Sequence, residues 1–393
     1  MSEFTFAGIS VKRLAAMAGQ TPFYAYDRMA LTARMAALRE SFPVDVHFHY
    51  AVKANPMPAL VCRMAGLADG FDVASGGELQ TVLNAGAAPG KISFAGPGKS
   101  DAELLMAIAA KAIINVESRY ELERIIALAS ASLPKPRVAL RVNPDFELKS
   151  AGMKMGGGSK PFGIDAENIP DLYPLFGDRV CFEGFHIFSG SQNLRADAII
   201  EAQEKSVDLA IRLSKDAPRF VSYLNLGGGF GIPYFPGDVP LDVSVIGNNF
   251  RKLMYRVREE LPQAQVVIEL GRYLVGEAGV YVCSVIDRKV SRGQVYLVTN
   301  GGLHHHLAAS GNFGQVIRKN YPVVIDTKEQ NPAIETVSIV GPLCTPLDIL
   351  ADKIEAPVAA PGDLVIVKQS GAYGLTASPR SFLSQPDAVE MLI

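Results

Sequence analysis

The chain has 393 residues, of which 48% are hydrophobic and 20% are charged, a balance typical of a folded globular protein. At this length two domains are expected rather than one. The formal net charge of −2 gives no basic excess of the kind that binds nucleic acid or an anionic membrane, so neither is predicted as a partner.

The same sequence argues against export and membrane insertion. No run of about 18 apolar residues occurs, and residues 1–20 lack the apolar core and cleavage site of a signal peptide. The four cysteines are far apart and form no CxxC pair, so neither a disulfide framework nor a zinc site is predicted. We therefore expect a cytoplasmic protein.

Between residues 46 and 270, short runs rich in β-branched residues alternate with longer helical segments. Eight strands are predicted there: Val46–Val52, Gly70–Ala74, Lys91–Ala95, Ala112–Val116, Arg137–Val142, Val180–Ile187, Val221–Leu226 and Gln265–Leu270. Helices are predicted at Met57–Met64, Gly77–Asn84, Ala102–Ala110, Ser118–Leu128, Ala196–Leu213 and Val243–Glu260. Eight such repeats predict an α/β fold, a closed (β/α)₈ barrel.

After about Gly276 the pattern changes to strands separated by turns. The predicted strands are Val280–Val290, Gln294–Thr299, Glu335–Val340 and Asp363–Gln369, and the early segment Pro22–Tyr26 is expected to join them. The prediction is a barrel domain at residues 27–274 and an antiparallel β domain formed by residues 1–26 and 275–393.

In such barrels the active site lies at the carboxyl ends of the strands. Lys53 follows the first strand, in the run Tyr50-Ala-Val-Lys53-Ala-Asn55. A lysine in an apolar strand end is expected to be buried, and burial favours the neutral amine that attacks a carbonyl to form a Schiff base. A lysine that only extends its ammonium to solvent at the barrel rim is the alternative.

Two further motifs lie at the same end of the barrel. The run Leu226-Gly-Gly-Gly-Phe-Gly231 follows strand seven, where backbone N–H groups bind phosphate in many barrels, although a plain tight turn explains it equally well. Glu269-Leu-Gly-Arg272 ends strand eight and offers a carboxylate for a heterocyclic nitrogen and a guanidinium for an anion. A structural Glu–Arg pair is the alternative.

Two motifs lie in the predicted β domain. Adjacent side chains of a strand point to opposite faces, so His304, His305 and His306 converge on one metal ion only from a loop, and no metal site is predicted. An open loop that contacts substrate is the preferred interpretation. Cys344 lies in the turn-rich segment Gly341–Asp348, where it is either a small buried residue or a catalyst.

Taken in order, these motifs resemble the fold type III pyridoxal-phosphate (PLP) decarboxylases, the group of ornithine, diaminopimelate and arginine decarboxylases. The resemblance spans nearly the whole chain and rests on Tyr50–Asn55, Gly70–Ser75 with Glu78, Ala95–Gly98, Leu140–Pro144, Gly184–Gln192, Gly227–Gly229, Glu269–Tyr273, Gly341–Asp348 and Gly371–Gly374. Within the group, the chain is most similar to the exosortase A-associated decarboxylases and to those that act on carrier-bound glutamate, which share stretches like Gly301–His306 and Gly341–Pro346.

The resemblance implies an alanine-racemase-type barrel, a Greek-key-like β-barrel at the C-terminal end, PLP as cofactor and a homodimer with shared active sites. It makes Lys53 the Schiff-base lysine, Glu269 the partner of the pyridine nitrogen and Cys344 the general acid that crosses the dimer interface. It further implies cofactor contacts for Asp72, Glu78, Arg141, Phe188, Ser191, Gly227, Gly228, Gly229, Gly271, Arg272 and Tyr373. Asp348, His304 and His305 are expected on the substrate side.

The sequence also departs from the better-known members of the group. Phe188 replaces the usual ring-stacking histidine, so it stacks on the pyridine without donating a hydrogen bond, and Leu270 replaces a frequent proline. The loop at Cys344 lacks the Glu-Ser-Gly run of diaminopimelate decarboxylases. A bulky or carrier-tethered amino acid is therefore expected as substrate.

Three rival hypotheses remain. An amino-acid racemase on the same scaffold is disfavoured by Glu269, because such racemases place an arginine at the pyridine nitrogen. A degenerate binding protein of the same fold is disfavoured because both Lys53 and Cys344 are present. A metal-dependent barrel hydrolase is disfavoured because the strand ends lack the expected histidine and aspartate ligands.

Overall fold

The computed structural model describes residues 3–147, 153–154, 156–313, 315, 318–329 and 332–393. These residues belong to two compact units. The barrel unit comprises Arg34–Ile232 and Val239–Tyr273, and the β unit comprises Met1–Ala33, Pro233–Asp238 and Leu274–Ile393.

The barrel unit contains eight parallel strands, each paired with the next, and the eighth pairs with the first. We number them one to eight in chain order: Val46–Ala51, Gly70–Val73, Ile92–Phe94, Ile113–Val116, Arg137–Asn143, Cys181–Ile187, Tyr223–Gly228 and Gln265–Leu270. The predicted (β/α)₈ barrel is confirmed.

The helices of the chain lie at Val11–Ala18, Arg28–Ser41, Pro58–Ala65, Gly76–Asn84, Asp101–Ala109, Arg119–Leu128, Ala196–Ser214, Val243–Glu260 and Arg272–Val275. Serines start three of the barrel helices, because the hydroxyls of Ser75, Ser100 and Ser118 each accept a backbone N–H from three residues ahead. Strands five and six are connected by 3₁₀ turns at Ala166–Asn168 and Pro170–Leu175. Within the described ranges, no helix has both the length and the apolar character needed to cross a membrane.

The interior of the barrel is layered, with apolar side chains below a polar layer. Ile113, Ala139, Tyr223 and Val267 come from strands four, five, seven and eight and form a buried apolar cluster. The side chains nearer the carboxyl ends are polar although they are buried. Because buried polar groups are costly unless they are paired, this upper layer is where chemistry is expected.

The strands of the β unit lie at Thr5–Phe6, Ile9–Ser10, Phe23–Tyr26, Gly279–Ser291, Gln294–Thr299, Val323–Asp326, Ile334–Val340, Ile349–Pro357, Leu364–Val367 and Val389–Leu392. The long strand Gly279–Ser291 is antiparallel to each of its three partners, which include Phe23–Tyr26 as predicted. Two pairings in this unit are parallel, Gln294–Thr299 with Ile334–Val340 and Val389–Leu392 with Phe23–Tyr26. The predicted β domain is therefore confirmed, but its sheet is mixed and not purely antiparallel as predicted.

Candidate active site

Lys53 lies in a single 3₁₀ turn, Val52–Ala54, directly after strand one. Its side chain is 45% exposed, so the predicted burial is wrong. The reason is that strand one ends at Ala51 and Lys53 lies beyond that end. Its Nζ atom lies 3.6 Å from Oε1 of Glu269 and 5.6 Å from the centre of the Phe188 ring. The amine is thus accessible while it stays next to a buried acid and an aromatic ring.

Glu269 is the penultimate residue of strand eight, and only 6% of its side chain is exposed. Burial by itself raises the pKa of this carboxyl, but the Lys53 ammonium and His186 outweigh it and lower the pKa below the usual range. The carboxylate therefore stays ionised at neutral pH, as it must to hold a protonated heterocyclic nitrogen.

His186 is a site residue that the sequence analysis missed. It is the second-last residue of strand six, is 2% exposed, and places Nε2 3.4 Å from Oε2 of Glu269. The period-two alternation of a strand puts it on the same face as Phe188, two residues later. That spacing is the sequence signal that identifies it.

Asp72 and Glu78 come from strand two and the helix that follows it. Asp72 is buried, with Oδ2 3.4 Å from Nδ1 of His49, a buried histidine of strand one that was also not predicted. Oε2 of Glu78 accepts the backbone N–H of Ala74, and burial raises the pKa of Glu78. Both carboxyls lie at the carboxyl end of strand two, as predicted.

Arg141 belongs to strand five and donates through Nη1 to Oε1 of Glu117, at 2.6 Å. Glu117 also accepts the backbone N–H groups of Gly96 and Gly163, so it connects the ends of strands three, four and five. Lys99, buried beside it, donates to Oε1 of Glu121. Arg141 is thus held in one orientation at the barrel mouth, and Glu117 is a third residue that the sequence did not reveal.

The glycine run at the end of strand seven is required by close packing. A Cβ at Gly227 would lie 2.5 Å from the ring of Phe188, and one at Gly229 would lie 2.2 Å from the carbonyl oxygen of Gly190. Both glycines have a positive φ, of 64° and 77°. The run therefore packs against the segment that carries Ser191, a partly buried residue.

Strand eight is followed by Gly271 and by Arg272, which begins the short helix Arg272–Val275. A Cβ at Gly271 would lie 2.9 Å from the Cβ of Ala54, so this glycine lets strand eight approach the turn of Lys53. Arg272 is partly buried. The barrel unit contains all twelve of the site residues predicted on the barrel, and their roles stay a prediction: Lys53, Asp72, Glu78, Arg141, Phe188, Ser191, Gly227, Gly228, Gly229, Glu269, Gly271 and Arg272.

The β unit carries the remaining predicted residues. Cys344 is exposed, whereas Asp348, four residues later, is 2% exposed and accepts the backbone N–H groups of Leu303 and Leu343 at 2.6 and 2.9 Å. Burial raises the pKa of Asp348. Its carboxylate holds this loop in shape, and its contact with substrate stays a prediction. Tyr373 is partly buried and has a φ of 53°.

The histidine segment is not the open loop that was predicted. His304, His305 and His306 are completely buried, because the β unit folds its aromatic core around them. His305 is within hydrogen-bond distance of the Tyr281 hydroxyl and the Pro386 carbonyl, and His306 of the Ser370 hydroxyl. Among the described residues neither ring nitrogen of His304 has a hydrogen-bond partner. Substrate contact by His304 or His305 stays a prediction that their burial does not favour.

The chain is similar to proteins of known activity over most of its length. The model of the family described as "Pyridoxal-dependent decarboxylase, pyridoxal binding domain" matches residues 28–276. The chain is 39% identical to the L-glutamyl-[BtrI acyl-carrier protein] decarboxylase of Niallia circulans, over 95% of this chain and 89% of that protein. It is 32% identical to the diaminopimelate decarboxylase of Aquifex aeolicus, over 100% and 90%.

Among solved structures, the diaminopimelate decarboxylase from M. jannaschi superimposes with a TM-score of 0.90 at 26% identity, over 99% of this chain and 91% of that one. Fold and site together define a PLP-dependent decarboxylase of fold type III. The chain belongs to the pyridoxal-dependent decarboxylase family. The racemase hypothesis finds no support in these relatives.

The residues of the barrel unit fit PLP. The cofactor requires an accessible amine, an ionised carboxylate for its pyridine nitrogen and a cradle for its phosphate. Lys53 is accessible, Glu269 is kept ionised beside it, and the packed glycine run leaves no side chain in the way of a phosphate.

Proposed function

We propose that this decarboxylase removes the α-carboxylate of an amino acid that is bulky or tethered to a carrier protein, with carrier-bound glutamate as the first substrate to test. The observation that carries the proposal is the loop Gly341–Asp348. Its single acidic residue, Asp348, is buried with one backbone N–H on each oxygen, while Cys344 and Leu347 are exposed.

A free diamino acid presents a distal ammonium, and selective recognition of that charge requires a paired acid, whose absence typically costs several kcal/mol. The exposed part of the loop offers Cys344, Thr345, Pro346 and Leu347, and none of these is charged. An amino acid whose distal end is attached to a carrier presents no such ammonium. The Niallia circulans relative, by its name, acts on glutamyl attached to an acyl-carrier protein, which agrees with this substrate class.

In the proposed site, Lys53 would hold PLP through its amine, and the ionised Glu269 would keep the pyridine nitrogen protonated. PLP supplies the electron sink for loss of the carboxylate. Phe188 would support the cofactor ring. Ser191, Gly227, Gly228, Gly229 and Arg272 would hold the phosphate, with Gly271 allowing the close approach of strand eight, and Tyr373 is a further predicted phosphate contact. Asp72, Glu78 and Arg141 support the cofactor from the strand ends.

The proposal further assigns Cys344 as the general acid that returns a proton to the α-carbon. The thiol belongs to the partner subunit of a homodimer, so each active site needs two chains. The four cysteines are free, which agrees with a reducing cytoplasm as the location of the protein. An association with exosortase loci stays a prediction.

The test is the release of CO₂ from four substrates by the PLP-loaded protein: glutamate attached to a carrier protein, free glutamate, free diaminopimelate and free ornithine. We expect turnover of the tethered amino acid and a kcat/KM for the free diamino acids below about 10⁴ M⁻¹s⁻¹. Efficient decarboxylation of free diaminopimelate or ornithine would contradict the substrate assignment.

A loop variant sharpens this test. Thr345→Glu places an acid directly after Cys344 at a partly exposed position, and Thr345→Gln is the matched uncharged control. We expect the glutamate variant to turn over a diamino acid about tenfold faster than the glutamine variant, because one charge-assisted hydrogen bond is worth about 1.5–3 kcal/mol. Equal rates for the two variants would show that this loop does not select the distal group.

A further inference from the structure

Glu269 has a partner on each carboxylate oxygen. Oε1 faces Lys53 at 3.6 Å, and Oε2 faces Nε2 of His186 at 3.4 Å. Lys53 is half exposed at the barrel mouth, whereas His186 is 2% exposed inside the barrel. The two oxygens are therefore directed to different places, one towards the mouth and one towards the interior.

Strand register fixes the position of His186. It pairs with Arg141 of strand five on one side and with Asn225 of strand seven on the other. Phe188, on the same face two residues later, lies with its ring centre 6.4 Å from that of His186. The histidine therefore lies below the aromatic ring and beside the acid, in the polar upper layer of the barrel.

His186 has no competing partner in the part of the chain that the structure describes. Neither of its ring nitrogens makes a hydrogen bond, and Oε2 of Glu269 makes none either. Buried polar atoms are rarely left unpaired. A movement of a few tenths of an ångström brings the 3.4 Å contact into the usual range of about 2.7–3.2 Å. Because both groups are buried and unpaired and face one another at this distance, each is the natural hydrogen-bond partner of the other.

We propose that His186 is a positioning residue that holds Oε2 of Glu269 from inside the barrel and thereby keeps Oε1 directed to the mouth. The inference rests on the proposed role of Glu269 as partner of the pyridine nitrogen. Once Lys53 is engaged by the cofactor, the contact to His186 is what fixes the orientation of the carboxylate. Without that contact the carboxylate of Glu269 could rotate, and its hydrogen bond to the ring nitrogen would be weaker.

The test is a double-mutant cycle with His186→Leu, Glu269→Gln and the double variant. The first readout is the unfolding free energy of the protein without PLP, and the second is the Kd for PLP from the visible absorbance of the bound cofactor. If His186 acts through Glu269, we expect His186→Leu to weaken PLP binding about tenfold in the wild-type background, the value of one charge-assisted hydrogen bond. In the Glu269→Gln background, we expect a change of less than about twofold.

Two matched variants make the result specific. His186→Gln keeps an N–H donor at the same position inside the barrel. Its Kd for PLP should therefore stay within about threefold of the wild-type value. His49→Leu removes another buried histidine of the barrel, one whose ring lies 3.4 Å from Asp72, and its effect should add to that of Glu269→Gln. Two outcomes would overturn the inference. One is that His186→Leu weakens PLP binding equally in the wild-type and Glu269→Gln backgrounds. The other is that His49→Leu shows a coupling to Glu269→Gln as large as that of His186→Leu.

The two readouts separate this inference from the proposed function. Failure of the wild-type protein to bind PLP would contradict the proposed site, and the cycle on unfolding free energy would still measure the His186–Glu269 contact. Normal PLP binding without any coupling between the two residues would contradict the positioning role alone.

Discussion

Lys53 combines two properties that a covalent cofactor attachment needs. Its amine is accessible, since the residue stands on a turn beyond the end of strand one, and it lies 3.6 Å from the carboxylate of Glu269. In the proposed site, this accessibility would let an aldehyde reach the nitrogen, and the neighbouring acid would hold the ring nitrogen of that aldehyde.

We predict that Lys53→Ala abolishes the covalent lysine adduct that borohydride reduction leaves on the PLP-loaded protein. The reason is that no other lysine lies next to Glu269 in the described barrel ranges. Mass spectrometry of the digested, reduced protein is the measurement. Lys205→Ala, which removes a surface lysine paired with Glu201, is the control and should keep the adduct. A reduced adduct on another lysine in the Lys53→Ala variant would refute the assignment.

Asp348 is a buried acidic residue whose carboxylate has a structural role in the β unit. The Cβ atoms that alanines would place at Gly302 and Gly341 would each lie 2.2 Å from one of its oxygens, so two glycines make room for the carboxylate. Its oxygens accept the N–H groups of Leu303 and Leu343. The side chain therefore ties the segment that contains His304 to the loop that contains Cys344.

We predict that Asp348→Ala lowers the unfolding free energy by about 2–3 kcal/mol, because two buried N–H groups lose their acceptor. Urea unfolding at neutral pH is the measurement. Asp287→Asn, at an exposed position of the same unit, should change stability by less than about 0.5 kcal/mol. A loss for Asp348→Ala as small as that of the control would mean that these N–H groups find other acceptors.

At the scale of elements, the strands of the barrel follow directly from the sequence. All eight predicted strands are present, because buried parallel strands form continuous β-branched runs that stand out between helical segments. In the β unit, Val323–Asp326, Ile349–Pro357 and Val389–Leu392 were not predicted. Ile349–Pro357 interrupts its apolar residues with Asp352, Lys353 and Glu355, so that no clean alternation marks it.

The histidine segment was misjudged for a related reason. Three consecutive histidines are polar in composition, and a polar segment rich in small residues predicts an exposed loop. The structure buries them, because tyrosine, serine and backbone groups of the same unit supply hydrogen-bond partners for His305 and His306. Such partners come from residues distant in the sequence and therefore cannot be read from the local pattern.

The burial of this segment predicts a stability that depends on pH. Burial lowers the pKa of His306 from 6.5 to about 3. Below pH 6.5 the unfolded chain therefore binds a proton that the folded chain does not, and stability falls as the pH falls. We predict a loss of about 2 kcal/mol from this residue between pH 6.5 and pH 5.

Urea unfolding at pH 7.5, 6.5, 5.5 and 5 measures this slope. His306→Asn keeps an acceptor for the N–H of Ala309 without a titratable ring, and its stability should depend less on pH over this interval. The exposed variant Asp287→Asn should keep the wild-type slope. Identical slopes for wild type and His306→Asn would show that His306 titrates normally in the folded protein.

At the scale of the whole molecule, the sequence predicted two domains, a barrel at residues 27–274 and a β domain at residues 1–26 and 275–393, and these bounds stay a prediction. In the structure, residues 27–33 and Pro233–Asp238 belong to the β unit. The motifs predicted a cofactor site on the barrel unit because they follow most of its strands at the same end. The contacts of His49, Glu117 and His186 were not predictable, because each depends on a partner from another strand. Strand register, which one sequence does not specify, creates these pairs.

The last prediction concerns assembly. Lys53 belongs to the barrel unit, whereas Cys344 belongs to the β unit and is exposed at a loop whose neighbour Leu347 is 58% exposed. An exposed thiol beside an exposed apolar side chain is available to a second chain, and isologous dimers place the same loop on both subunits. We therefore predict an obligate homodimer in which each active site takes Lys53 from one subunit and Cys344 from the other.

Mixing Lys53→Ala subunits with Cys344→Ala subunits is the experiment that decides between a shared and a self-contained site. A mixed dimer then holds one intact site and one doubly defective site, and random exchange makes about half of the dimers mixed, so about a quarter of wild-type activity should return. Lys53→Ala mixed with the double variant Lys53→Ala/Cys344→Ala contains no intact site and should stay inactive. Differently tagged subunits establish that exchange has taken place. If exchange is complete and activity does not rise above that of the separate variants, each site is built from a single chain, and the proton donor must be sought within that chain.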